Sequence, residues 1–137
     1  MPRDTLTGKE RQLLLSNAVG ILTTLREDGA PHATPTWVDV DGNTILINTA
    51  SRLKQNSIRR DSRVCVTVVS GDSPMAYLTV EGRASLSSDG AWEHADRISH
   101  RYRGKAHPRS PDAERLIVRI TPLRIQSTGV NDLRDDD

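Results

Sequence analysis

The sequence predicts a mainly β fold, a β-barrel with a few short helices, formed by one domain spanning residues 1–137. Six segments rich in Val, Ile, Leu and Thr recur along the chain, and the turns Asp28-Gly29 and Asp41-Gly42 separate the first three. Turns this tight join antiparallel neighbours, because parallel strands need long crossovers. Closing six antiparallel strands into a barrel removes exposed edges. Hydrophobic periodicity by itself also allows an open α+β sheet.

The six strands are assigned from apolar or alternating segments that end at Gly, Asp, Asn or Pro. They are predicted at 19–25, 32–40, 44–49, 64–70, 76–86 and 115–128. Residues 130–137 end in Asp135-Asp136-Asp137 and are expected to form a disordered tail.

Three helices are predicted between these strands. The first covers 7–17, where Thr7 and Glu10 have the spacing of a capping box. The second covers 51–61, with Leu53 and Ile58 facing inward. The third covers 91–102, since apolar residues recur there at helical spacing. These residues are Trp92, Ala95, Ile98 and Tyr102.

Charge and composition exclude several classes of protein. The 19 Lys and Arg against 18 Asp and Glu leave a net charge of +1, which does not favour nucleic-acid binding. No apolar run approaches the ~18 residues of a membrane span, and no apolar signal segment opens the chain. We therefore expect a cytoplasmic protein. The single cysteine, Cys65, excludes an intramolecular disulfide and is expected to be a small buried hydrophobe.

No catalytic constellation is recognisable, so no catalytic residue and no metal site are assigned. His94 and His100 are six positions apart and would not share a helix face, while His32 and His107 are expected to be surface or structural residues. Nucleophile elbows, dinucleotide fingerprints and P-loops are absent. Redox chemistry supplied by a cofactor fits such a chain.

The segment from 52 to 63 concentrates positive charge. Five cations stand against Asp61 alone, and the segment follows Thr49-Ala50-Ser51 at the end of a strand. Hydroxyl groups, a helix N-terminus and Lys54 would together suit a phosphate. An ordinary solvated helix with long cationic side chains explains the same composition.

The order of motifs resembles the pyridoxamine-phosphate-oxidase-like split barrels, and most closely their actinobacterial F420-binding branch. The resemblance runs from residue 17 to 86, and the C-terminal third is similar only in outline. It is carried by 18–25, 28–32, 34–37, 48–51, Lys54, 59–64 and 80–84.

This resemblance implies a six-stranded split barrel that forms a homodimer with cofactor sites at the subunit interface. Lys54 and Ser51 would hold the cofactor phosphate. Asn56 stands one position before an Asn that the family often has. The remaining residues implied to bind the cofactor are Pro35, Thr36, Trp37, Thr49, Ala50, Arg52 and Arg60. Trp37 could equally be an aromatic residue of the core or of the dimer interface.

The cofactor expected from this resemblance is F420, with FMN as the alternative. F420 carries an oligoglutamate tail that needs cations beyond the phosphate pocket, and FMN does not. Such cations are offered by Arg52, Arg59, Arg60, Arg101, Arg103, Lys105 and Arg109. The expected function is hydride transfer between reduced F420 and a small conjugated or aromatic acceptor. An FMN-binding oxidase or flavin reductase and a non-enzymatic cofactor-binding protein are the alternatives.

Overall fold

A computed structural model describes residues 2–73, 75–110 and 113–133. The strands are β1 (Gly20–Leu25), β2 (Pro31–Thr36), β3 (Asp39–Asp41), β4 (Thr44–Thr49), β5 (Arg63–Val69), β6 (Tyr77–Ser87) and β7 (Leu116–Thr128). The helices are α1 (Gly8–Leu15), α2 (Arg52–Arg60) and α3 (Ala91–Arg103), followed by a 3-10 turn at Val130–Asp132. The predicted mainly β fold with short helices is confirmed.

All seven strands belong to one antiparallel sheet in the order β2-β1-β5-β6-β7-β4-β3. Its two edge strands, β2 and β3, are consecutive in the chain and are joined only by Trp37 and Val38. In a flat sheet of this width the edges would lie roughly 29 Å apart, whereas the link spans at most about 11 Å. The sheet therefore curls until its edges meet, which forms the barrel.

The strand predicted at 32–40 is thus two strands, which raises the count from six to seven. The break occurs because α3 binds the backbone of Val38. The N–H of Val38 donates to the Tyr102 hydroxyl at 3.2 Å, and its carbonyl accepts from the Arg101 guanidinium. Tyr102 in turn donates to the carbonyl of Ala18 at 2.6 Å. We call the two-residue link of Trp37 and Val38 the seam.

The inward faces of the strands form one apolar core. Its fully buried members include Leu22, Val38, Ile45, Ile47, Val66, Val80 and Ile120. On α2, Ile58 packs into this core as predicted, but Leu53 is 46% exposed and that prediction is wrong. Five helical positions rotate a side chain by about 140°, so the two residues cannot share a face.

The segments before β1 and after β7 are both bound to the rest of the fold. The predicted capping box is present, with the Thr7 hydroxyl accepting from the N–H of Glu10. The expectation of a disordered tail from residue 130 is wrong for 130–133. Val130 is fully buried in the core, and Asn131 accepts a hydrogen bond from the Thr7 hydroxyl at 2.6 Å. The rest of the predicted tail, 134–137, lies outside the described residues.

The packing at the seam yields a test. A Cβ at Gly20 would lie 2.6 Å from Cγ1 of Val38, whose backbone is held by α3. We expect Gly20→Ala to lower the free energy of unfolding by about 1–3 kcal/mol, the usual effect of overpacking a core. Urea denaturation followed by circular dichroism measures the change.

Gly71→Ala is the matched control. Gly71 has no positive φ, and a Cβ there meets nothing within 4 Å. Equal destabilisation by both substitutions would contradict close packing of Val38 against β1.

Candidate functional site

A cavity of about 480 Å³ lies where the two edges of the sheet meet. The seam, the end of β4, and α3 each contribute part of its wall. The lining residues are Val19, Pro35, Thr36, Trp37, Asn48, Thr49, Ala50, Ala95, Ile98, His107 and Arg115. Its volume lies in the range of about 300–1,000 Å³ that is typical of small-molecule sites.

Half of the residues predicted to bind a cofactor line this cavity. They are Pro35, Thr36, Trp37, Thr49 and Ala50. The other half belong to α2 or its N-cap and lie outside the lining: Ser51, Arg52, Lys54, Asn56 and Arg60. Ser51 directly follows Ala50, so the beginning of α2 continues the cavity wall.

The beginning of α2 combines a helix N-terminus with a cation. The Ser51 hydroxyl accepts from the N–H of Lys54 at 3.3 Å and retains its own hydrogen for donation. The Lys54 ammonium is half-buried, and it has no hydrogen-bond or ion-pair partner among the described residues. Burial lowers the pKa of Lys54 because it disfavours the charged form. An anion bound here would compensate the Lys54 ammonium for the hydration that it loses on burial.

Asn56 and Arg60, which were also predicted to bind the cofactor, lie away from the beginning of α2. Arg60 ends the helix, about 12 Å from Arg52 along its axis, and borders a different depression beside Leu53. Asn56 is exposed and accepts from Arg59 at 3.4 Å. The structure therefore brings Ser51 and Lys54 near the cavity but leaves Asn56 and Arg60 apart from it.

Three cations that we expected to be available for an anionic tail are already paired with carboxylates. Arg59 pairs with Glu114 at 3.8 Å. The Arg101 guanidinium donates to the Asp39 carboxylate at 3.1 Å and to main-chain carbonyls, so the suggestion that it serves a tail is wrong. Arg109 pairs with Asp96 at 2.8 Å and lies over the Trp92 ring.

Trp37 is held by an aromatic partner on α3. Its ring stacks on that of Tyr102 with centroids 5.0 Å apart and planes 8° from parallel. Trp37 therefore braces the seam and lines the cavity at the same time.

A chain of hydrogen bonds runs from the cavity wall into the interior. Arg115 donates to Oδ1 of Asn48 at 2.8 Å. Since a guanidinium only donates, Oδ1 must be the acceptor, and the Asn48 amide nitrogen then faces the Ala91 carbonyl at 2.8 Å and Nδ1 of His94 at 3.1 Å. His94 accordingly carries its proton on Nε2 and donates it to Asp39 at 3.0 Å.

Asp39 is the acceptor at the inner end of this chain. It is 3% exposed and also accepts hydrogen bonds from the guanidinium groups of Arg97 and Arg101, each at 3.1 Å. Burial by itself would raise the pKa of Asp39. The hydrogen bonds from His94 and Arg97 and the charge of Arg101 outweigh that effect and hold the pKa well below its usual range. Asp39 is therefore ionised and ties α3 to β3.

Sequence reasoning missed four residues of this arrangement: Asp39, Asn48, His107 and Arg115. Asn48 offered one signal, as a polar residue in an apolar strand. Asp39 and His94 are 55 positions apart, so no local pattern connects them. Among the described residues no group of three or more His, Cys, Asp or Glu is placed to hold a metal ion. No helix in the described ranges is long and apolar enough to cross a membrane.

Comparison with known proteins identifies the family to which this chain belongs. The family model of pyridoxamine 5'-phosphate oxidase matches residues 6–129. The chain belongs to that family. The family assignment agrees with the resemblance drawn from the sequence and makes the chain a member of a flavin-binding oxidoreductase family.

Three solved structures illustrate the similarity. A protein named F420 reductase is 26% identical with a TM-score of 0.75, covering 92% of this chain and 98% of its own. A conserved hypothetical protein from Mycobacterium tuberculosis is 25% identical with a TM-score of 0.73, covering 98% of this chain and 94% of its own. A Listeria innocua protein provisionally assigned as a pyridoxamine 5'-phosphate oxidase is 29% identical with a TM-score of 0.63, covering 85% and 92%.

The buried carboxylate yields a test of this framework. Asp39→Asn replaces an acceptor of several hydrogen bonds with an amide whose NH2 faces donors. We expect it to lower the free energy of unfolding at pH 7 by about 2–4 kcal/mol. Since the folded pKa of Asp39 is depressed, its contribution is complete above the unfolded pKa of about 4 and is lost as the pH falls below it.

Urea denaturation of wild type and variant from pH 7 to pH 2.5 measures both effects. The difference between the two proteins should shrink below about pH 4. Asp61→Asn is the control, because Asp61 pairs with Arg63 on the surface. A wild-type advantage that stays constant down to pH 2.5 would contradict this role of Asp39.

Proposed function

We propose that this chain is an F420-dependent oxidoreductase that transfers hydride from the reduced cofactor to a small conjugated or aromatic acceptor. The observation that carries the proposal is the continuity between the cavity wall and the N-terminus of α2, where Lys54 is half-buried without a partner among the described residues. Similarity to a protein named F420 reductase over 92% of the chain supports it.

The residues fit the phosphate of a flavin-type cofactor. Lys54 supplies a charge, Ser51 supplies a hydroxyl hydrogen, and the first turn of α2 supplies free N–H groups. The ring system would then occupy the cavity between Trp37 on one side and Thr49 and Ala50 on the other. Arg52 and Arg60 are proposed to act beyond the phosphate.

F420 is favoured over FMN by the cations that remain unpaired. Among the described residues Arg52 and Arg60 have no carboxylate partner. Arg103, the last residue of α3, and Lys105, just after the helix, are exposed. An oligoglutamate tail would neutralise such groups, whereas compact FMN would leave them unused. Arg59, Arg101 and Arg109 do not belong to this set, because they pair with Glu114, Asp39 and Asp96.

When bound, the reduced deazaflavin ring supplies the hydride, and a proton from water or from the acceptor completes the two-electron reduction. The contribution of the chain is orientation and exclusion of water. Trp37 is fixed by Tyr102 and presents a rigid wall to the ring. Pro35, Ala95 and Ile98 make much of the remaining wall apolar.

The outer face of the sheet supports the homodimer that we propose. Ile21 pairs with Pro35 and with Thr67, and these side chains share one outward face. Ile21 and Val69 are exposed there at 37% and 42%. Pro35 belongs both to this face and to the cavity wall. A second copy of the chain packed on this face would therefore also close the cavity.

Titration of F420 and FMN into the purified protein tests the cofactor. We expect micromolar binding of F420, followed by its fluorescence polarisation, and much weaker binding of FMN, followed by fluorescence quenching. Binding of F420 without turnover of any conjugated acceptor would favour a cofactor-binding protein. The reverse preference would favour a flavin reductase and reject F420.

Lys54→Ala is the decisive variant in the same titration. We expect it to weaken F420 binding by about 1–3 kcal/mol, the scale of a lost charge-assisted hydrogen bond. Lys9→Ala, on α1 and away from the cavity, is the matched control. An unchanged dissociation constant for Lys54→Ala would remove that residue from the site.

The dimer is tested separately. We expect Ile21→Glu to convert the dimer into monomers, because it places a desolvated charge in the proposed interface. Sedimentation velocity measures the state of assembly. Leu15→Glu, on α1 and 49% exposed before substitution, should remain dimeric. A wild-type protein that sediments as a monomer would reject this interface.

A further inference from the structure

We propose that Arg115 binds a carboxylate of the acceptor, so that the substrates of this site are planar unsaturated or aromatic carboxylic acids. The inference rests on the proposed function, because it assumes that a hydride acceptor enters the same cavity. It goes further by naming the group on the acceptor that is recognised and the residue that recognises it.

The permanent charge of the cavity comes from one described residue. Arg115 is the only lining residue with a permanent charge, and no carboxylate is present in the described lining. Much of the remaining wall is apolar or aromatic, from Val19, Pro35, Trp37, Ala95 and Ile98. A largely apolar cavity with an aromatic wall and one cation suits an unsaturated or aromatic molecule that carries one negative group.

The charge of Arg115 is not neutralised by any described carboxylate. One terminal nitrogen donates to Asn48, and Nε is buried without a hydrogen-bond partner among the described residues. The guanidinium carbon lies 5.3 Å from the centroid of the Trp92 ring. Burial lowers the pKa of Arg115, since no described carboxylate compensates the lost hydration.

Arg115 is held in position by a chain of hydrogen bonds. Each hydrogen bond from Arg115 through Asn48 and His94 donates in the direction of the ionised Asp39. Hydrogen bonds aligned in this way polarise and strengthen one another. Gln55 adds a backbone anchor, because its amide donates to the carbonyls of Thr49 and Glu114. A preorganised guanidinium binds a carboxylate with less loss of side-chain entropy.

Arg115 is also distinct from the proposed phosphate site. Its guanidinium lies on the α3 side of β4, with Asn48 and Trp92. Successive side chains of a strand point to opposite faces, so Thr49 points away from this side. The Thr49 hydroxyl instead accepts from the N–H of Ser51, which caps α2 beside Lys54. Asn48 and His94 are accordingly positioning residues for Arg115.

The test compares two probes that differ in charge and share their planar shape, trans-cinnamate and cinnamamide. Isothermal titration calorimetry measures their affinities in the protein alone and with saturating F420. We expect wild type to bind cinnamate about tenfold more tightly than cinnamamide, the scale of one charge-assisted contact. Arg115→Met should abolish this preference, and Arg115→Lys should restore part of it.

Two further variants separate position from charge. Arg124→Met removes a cation of β7, the strand that directly follows Arg115, and it should keep the preference because Arg124 pairs with Glu81 outside the cavity. Asn48→Leu should reduce the preference although Arg115 is retained. If thermal denaturation shows that Asn48→Leu does not fold, His94→Gln is measured in place of Asn48→Leu.

Equal affinity of wild type for the two probes, or a preference that survives in Arg115→Met, would overturn the proposal. So would a loss of F420 affinity in Arg115→Met as large as the loss for cinnamate, because Arg115 would then belong to the cofactor site. Failure of F420 to bind wild type would refute the proposed function instead. The preference measured in cofactor-free protein would still decide the role of Arg115.

Discussion

The two-residue link between β2 and β3 is the constraint on which the rest of the structure depends. It joins the opposite edges of a seven-stranded sheet, and so it permits only a closed barrel. Closure leaves the backbone of Val38 without a strand partner. Helix α3 compensates through Tyr102 and Arg101, and Arg101 also reaches the buried carboxylate of Asp39. The seam and α3 therefore stabilise each other, since neither satisfies its polar groups alone.

The position of the seam also decides where a ligand can bind. The chain leaves one edge strand and enters the other at Trp37, and the cavity opens beside this crossing. Its two ends differ in chemistry. The α2 end presents Lys54 and a helix N-terminus, whereas the α3 end presents Arg115 on a rigid hydrogen-bonded support. Under the proposed function, the α2 end would hold the cofactor phosphate and the α3 end would hold the acceptor.

Much of the fold was predictable because its signals are local. Asp-Gly turns, the capping box at Thr7 and the alternation in β5 each depend on residues close in sequence. The errors arose where tertiary contacts override such signals. The segment 32–40 has a continuous β pattern, yet side chains of α3 interrupt it at Val38. Leu53 is apolar, yet Gln55 and Ile58 define the buried face of α2 and Leu53 is exposed.

The residues of the candidate site also divide into those that local motifs predict and those that only tertiary contacts bring together. The sequence by itself, through its family resemblance, determined the wall at 35–37 and 49–50, because these residues lie in short motifs at strand ends. The role of Lys54 stays a prediction. Only the tertiary structure decided that His94 meets Asp39 across 55 positions and that Arg115 meets Asn48 across 67. The physical reason is that a buried polar group needs a partner in space, and the barrel supplies it from any strand or helix regardless of sequence separation.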